Sequence, residues 1–235
     1  MKLISRRNFI QAGLLIATAT LFHSTQSQDF YYRAKGNESM RQDYFNFLLE
    51  NRNHYGVPGW ESFNRLVYDP GFQRLRNHGD GLGIQYKWPG INQFRFMQTI
   101  GQDVYIDAKT LLGSESEHEI LSGLDNESYH ANHHRTGRTH IGDGRLYKNP
   151  LVIPSRLLID LIHELYSFDK QFIYIQSGKR KVSQKFVRRF SRTAQGYYKI
   201  LLETANKNDI ANNLVANEVL ETLKNRPTLK LFTGQ

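Results

Sequence analysis

Pro154-Ser155-Arg156-Leu157-Leu158-Ile159-Asp160-Leu161-Ile162-His163-Glu164-Leu165 is the stretch on which the fold reading turns. Pro154-Ser155 is a helix-start signal, and Leu157, Leu158, Leu161, Ile162 and Leu165 then recur on one helical face. Downstream, Phe172-Ile173-Tyr174-Ile175 is a short apolar run closed by Ser177-Gly178, which reads as a buried strand. Residues 184–206 and 209–224 read as two more helices, with Asp209 early in the second and Pro227 beyond its end. These C-terminal helices span 184–225. Helix should therefore exceed strand, and the expected class is α+β: a helix-rich single domain with a small sheet.

Working outward towards the N-terminus, residues 113–150 are rich in His, Gly, Asn and Asp and read as a long irregular polar loop region. Before it, Gly83-Ile84-Gln85-Tyr86-Lys87-Trp88 and Val104-Tyr105-Ile106 alternate as half-buried strands do. Residues 40–75 carry a helical pattern through Tyr44, Phe45, Phe47, Leu48 and Leu49. Gly56-Val57-Pro58-Gly59 breaks it, and it resumes from Trp60 to Leu75. No internal repeat is visible.

The chain opens with Ser5-Arg6-Arg7-Asn8-Phe9-Ile10 and a mild apolar run that continues through Leu21 and Phe22. The adjacent arginines Arg6 and Arg7 ahead of a short apolar segment resemble a twin-arginine signal peptide. That resemblance implies export of an already folded chain through the twin-arginine translocase, and a periplasmic or secreted destination. The signal spans residues 1–28, with Thr25-Gln26-Ser27 offering small residues for cleavage, and leaves 29–235 as the exported domain. The run is too short and too rich in Thr and Ala to read as a membrane span, and none is expected in the mature chain.

Composition narrows the chemistry. The 235 residues include no cysteine, which excludes disulfides, thiolate metal sites and a cysteine nucleophile. The net charge of +9 falls to +6 when Lys2, Arg6 and Arg7 leave with the signal. That balance suits an anionic neighbour, and export makes cell-envelope polymer the expected one ahead of nucleic acid.

Four histidines, His130, His133, His134 and His140, fall within eleven residues, beside Asp125, Glu127 and Asp143. Imidazoles and carboxylates are the ligands this chain can offer, so the cluster is a candidate zinc site. A metal-bound water would then be the nucleophile, with Glu127 or Asp143 as base. No His-Glu-x-x-His occurs; the nearest string is His130-Ala131-Asn132-His133. The order His133-His134, Asn149, His163 is similar to the first half of a His-Asn-His nuclease motif, but its second interval is too long.

Residues 157–180, an amphipathic helix, an apolar run and Ser177-Gly178-Lys179-Arg180, resemble the helix, strand and Ser-Gly-Tyr-Arg turn of M15-type D,D-peptidases and murein endopeptidases. The resemblance implies a peptidoglycan substrate met by Arg180. The family's zinc ligands have no counterpart: Thr193 and Ile200 stand where they should be, and no histidine follows His163. Finally, Lys179, Arg180, Lys185, Arg188, Arg189 and Arg192 occur without an intervening acid. Lys185, Arg188, Arg189 and Arg192 form a helical stripe able to neutralise an anionic polymer such as peptidoglycan. Two functions remain open: a metal-dependent envelope hydrolase acting on peptidoglycan, or a non-catalytic protein that binds anionic polymer. An exported nuclease is a lesser third.

Overall fold

Helices dominate wherever an apolar stripe, a cap and a distant breaker coincide. The computed structural model describes residues 25–55, 59–77, 97–137, 140–141, 144–145, 155–207 and 209–234. The signal-peptide arginines Arg6 and Arg7 and the strand expected at Gly83–Trp88 lie outside them. The chain divides into two compact units, Met1–Gly56 and Val57–Gln235.

The first unit is a helical pair. Helix α1 covers residues 25–36. After a short 3-10 turn, α2 follows at Arg41–Glu50. Asn37 caps the turn by accepting a bond from the Ser39 N–H at 3.1 Å. Phe30 meets Tyr44 edge-on at 5.8 Å and Phe47 at 5.5 Å. Tyr31, Tyr44, Phe45 and Leu48 are fully buried. The cleavage point expected after Ser27 falls inside α1, where Ser27 is buried and bonded to the Tyr55 hydroxyl at 2.9 Å.

The second unit carries the α+β architecture, helix-rich with a small mixed sheet. Strand β1 (Arg65–Tyr68) runs parallel to β3 (Asp103–Ile106), which pairs antiparallel with β2 (Met97–Ile100). Gly101, at φ 60°, makes the tight turn between β2 and β3. The helix expected from Trp60 to Leu75 is corrected: it is a 3-10 turn, strand β1, a turn at Pro70–Phe72 and short helix α3 (Gln73–Asn77). Alternating burial of Leu66 and Tyr68 pulls this segment into the sheet, and Pro70 ends it.

Helix α4 is Ala108–Gly113, and α5 is Glu117–Thr136. The irregular loop expected over 113–150 is thereby corrected for its first half. Helix α5 has Glu117 and Glu119 in its first turn and His133, His134 and Arg135 in its last. It stops at Gly137, whose N–H returns to the His133 carbonyl at φ 62°. Its buried face includes Ser122, Asp125, Asn126 and Ser128 as well as Leu121 and Leu124, so no apolar period announces it. Strands β4 (His140–Ile141) and β5 (Gly144–Arg145) form a small hairpin beyond it.

Helix α6 is Arg156–Gln176, capped by Ser155, whose Oγ accepts from the Leu158 N–H at 3.2 Å. The strand expected at Phe172–Ile175 is corrected: those residues are the last turns of α6, which meets no breaker until Gly178 at φ 75°. Helices α7 (Gln184–Ala205) and α8 (Ile210–Lys224) stand where the sequence indicates, followed by α9 (Leu229–Thr233). Leu161, Ile162, Leu165, Phe172, Leu201, Val219 and Phe232 join in one apolar core across α6 to α9. Among the described residues no helix is long and apolar enough to cross a membrane.

Candidate functional site

A cavity of about 240 Å³ in the second unit is walled by α5, α6, α7 and β2, with α4 at its edge. Helix α5 presents Glu119, Gly123, Asn126, Glu127 and His130 to it, a spacing that keeps all five on one helical face. Helix α7 presents Phe186, Arg189, Phe190, Thr193 and Tyr197, again a single face. Glu164 and Phe168 come from α6, and Met97 and Thr99 from β2. Gly123 is where the sheet meets α5: a Cβ there would lie 3.0 Å from the Met97 side chain. A side chain there would require the Met97 thioether end to shift.

Two carboxyl groups, Glu127 and Glu164, and the His130 imidazole share this lining. The Thr99 hydroxyl donates to Glu127 Oε2 at 2.7 Å. Burial raises the Glu127 carboxyl above the usual carboxylate range and the nearby Glu164 pushes it further up, while His130 and the Thr99 bond pull it back. His130 is held below its ordinary value, first by burial and then by His133, against the pull of Glu127. The site therefore favours a proton on Glu127 and a neutral imidazole beside it. On the α7 wall, burial lowers the Arg189 guanidinium to about 10, with Glu119 opposing.

The remaining histidines do something different. His133 packs its ring on His163 of α6 at 3.8 Å between centroids, and His134 lies 5.8 Å from His133. Burial, then the neighbouring imidazoles, lower His163 to about 2, and His134 is lowered for the same reasons. Helix α5 thus sends His130 to the cavity and His133 to α6. Among the described residues no three His, Asp or Glu side chains converge as a metal site. The side chain of His140 and all of Asp143 lie outside the described residues.

Asp125, a candidate ligand by sequence, is committed elsewhere. It accepts from Arg180 Nε at 2.8 Å, Arg180 Nη2 at 3.0 Å and Trp60 Nε1 at 3.2 Å. Arg180 is accordingly corrected as a polymer-binding residue: its side chain is 4% exposed, locked in that ion pair and set over the Trp60 ring. The rest of the basic run divides. Lys179 lies over the Tyr174 ring at 4.8 Å, and Arg189 faces the cavity. Lys185, Arg188 and Arg192 are exposed, with Lys185 reaching Glu115 at 3.6 Å.

Of the residues that the sequence singles out, Glu127, His130 and Arg189 line this cavity; Glu164, Thr99 and the aromatic wall are lining that it does not single out. The signal for Glu164 was its position on the same helix as the opening stretch, one residue after His163, on the face that the leucines leave polar. Comparison of the chain with protein-family models, curated proteins and solved structures finds no match.

Proposed function

We propose that the chain is an exported envelope hydrolase whose reaction runs in this cavity, with Glu127 as general acid and Glu164 as its partner carboxylate. The observation that carries the reading is the Glu127–Glu164 pair, in which burial and the second carboxylate both favour the protonated form of Glu127. A glycosidic bond is the linkage such a pair hydrolyses. One carboxyl protonates the departing oxygen, and the other activates water or attacks the anomeric carbon. Thr99 orients the acid through its 2.7 Å bond. Phe168, Phe186, Phe190 and Tyr197 supply the apolar ring surface on which a sugar can lie. Export rests on Arg6-Arg7, and peptidoglycan glycan is the polymer an exported chain meets.

The proposal moves the chemistry from the histidine cluster to the carboxylates, since among the described residues no three His, Asp or Glu side chains converge as a metal site. The test is release of reducing ends from isolated peptidoglycan by the purified protein. E127Q and E164Q should each lower it about 10²–10⁴-fold, the usual contribution of a positioned acid or base. Release that survives both substitutions, or no release by the wild type, defeats the reading. A second reading, a polymer-binding protein without catalysis, is supported by the exposure of Lys185, Arg188 and Arg192 on α7. It would show as salt-sensitive sedimentation with peptidoglycan that E127Q and E164Q leave intact.

A further inference from the structure

We infer that the sugar bound in this cavity carries a 2-acetamido group, whose amide N–H is received by Asn126 of α5. The inference rests on the cavity being the glycan site. It adds the substituent that the site selects and the residue that selects it. Asn126 is 8% exposed and lines the cavity next to Glu127. Its Nδ2 donates to Gln171 Oε1 of α6 at 3.5 Å, and Gln171 Nε2 donates in turn to Ser122 Oγ at 3.1 Å. The chain of bonds leaves α5 at Asn126 and returns to it one turn earlier at Ser122, so the plane of the Asn126 amide is fixed from both sides.

With its amino group spent on Gln171, Asn126 has its Oδ1 left to offer, and among the described residues no donor meets that oxygen. A carbonyl oxygen taken out of water costs free energy until a donor reaches it, so the cavity is built to receive an N–H or O–H there. The neighbours decide between the two. Met97 brings its thioether end against Gly123, one turn before Asn126, and Phe168 stands one turn before Gln171, both in the cavity lining. An N–H followed by an acetyl methyl satisfies the acceptor and covers these apolar groups; a hydroxyl satisfies the acceptor alone.

The order of residues along α5 agrees with the order of atoms on such a sugar. The glycosidic oxygen that Glu127 protonates leaves C1, and the acetamido nitrogen is carried by the adjoining carbon, C2. A side chain that reads the nitrogen therefore stands beside the acid, which is the place Asn126 holds in the lining.

Binding can be read without turnover, by saturation-transfer NMR and calorimetry on the full chain. The probes are the methyl β-glycosides of N-acetylglucosamine, of 2-O-acetylglucose and of glucose. The first two share an acetyl methyl and differ in the N–H alone, so their comparison isolates the bond to Asn126 from the apolar contact. The amide should bind about ten-fold more tightly than the ester, the gain of one buried hydrogen bond. N126L, which keeps the size and removes the acceptor, should erase that difference. Equal binding of amide and ester, a preference that survives in N126L, or binding of none of the three probes overturns the inference. If N126L does not fold, N126A decides the same point, and the amide-to-ester ratio of the wild type stands as a test without any variant. A preference for the amide without release of reducing ends from peptidoglycan would keep this inference and remove the hydrolase reading; release with amide and ester bound alike would do the reverse.

Discussion

Helices α6 to α9 and helix α5 are held by opposite means. The first group closes on apolar side chains: Leu161, Leu165, Phe172, Leu201, Val219 and Phe232 are almost completely buried against one another. Helix α5 is fastened to α6 and its neighbours largely through buried polar groups. Lys170 donates to Ser128 Oγ at 2.8 Å, Gln171 to Ser122 Oγ at 3.1 Å, and Arg180 to Asp125. An apolar seam tolerates imperfect geometry, whereas a buried polar seam is stable only while each partner is present. The cavity lies where the two kinds of packing meet, so one wall is aromatic and the other acidic.

The sharpest break in that comparison is at the ion pair. Asp125→Ala leaves Arg180 buried without its carboxylate and should destabilise the second unit by about 3–5 kcal/mol. Leu165→Ala, which only leaves a hole in the apolar core, should cost about 2–5 kcal/mol. Urea denaturation measures both. The double change of Asp125→Leu with Arg180→Met should recover much of the first loss and none of the second. Additive losses at Asp125 and Arg180 would erase the distinction between the two seams.

Acid should act on the polar side next. His163 binds its proton near 6.5 when unfolded and only at about 2 when folded. Between those values the unfolded chain holds more protons, so stability falls as pH drops below 6.5. By pH 5 the loss from this one residue is about 2 kcal/mol. His130 and His134 shift in the same direction and steepen the decline. His163→Phe should flatten the curve of stability against pH by about one proton in this window. An unchanged slope would mean that His163 does not stay neutral in the fold.

The smallest expected effect joins the two sides. Ser183 caps α7 by accepting from the Phe186 N–H at 3.2 Å and also donates its hydroxyl to Glu119. Ser183→Ala should lower stability by about 1 kcal/mol, typical of a lost helix cap. Unchanged stability would mean that the Ser183 hydroxyl fastens neither the start of α7 nor Glu119.

What the sequence made legible follows the same division. The apolar face of α6 is visible as periodicity, and the starts of α6 at Ser155 and of α8 at Asp209 are visible as capping residues. Helix α5 was not, because Ser122, Asp125, Asn126 and Ser128 occupy positions where a helical reading looks for leucine. Missing α5 also hid a shared face: Glu127 and His130 are three apart, which puts them on one face only once the segment is helical. Phe172–Ile175 misled for the converse reason. Four apolar residues in a row look alike in a strand or in a buried helix end, and only the distance to the next breaker separates them. The basic stripe was read as one surface, yet burial assigned Arg180 to the core and Arg189 to the cavity.

The burial of Arg180 has a consequence for how the protein survives among proteases. Lys179-Arg180-Lys181 is a string that trypsin-like enzymes cut readily in an open chain. Here the middle side chain is clamped by Asp125 from a helix 55 residues earlier in the chain. A protease that needs Arg180 in its specificity pocket must wait until α5 lets go, so cleavage after Arg180 counts openings of the α5 seam. This basic turn is in this way a timer for its own undocking, readable by mass spectrometry of the first fragments released.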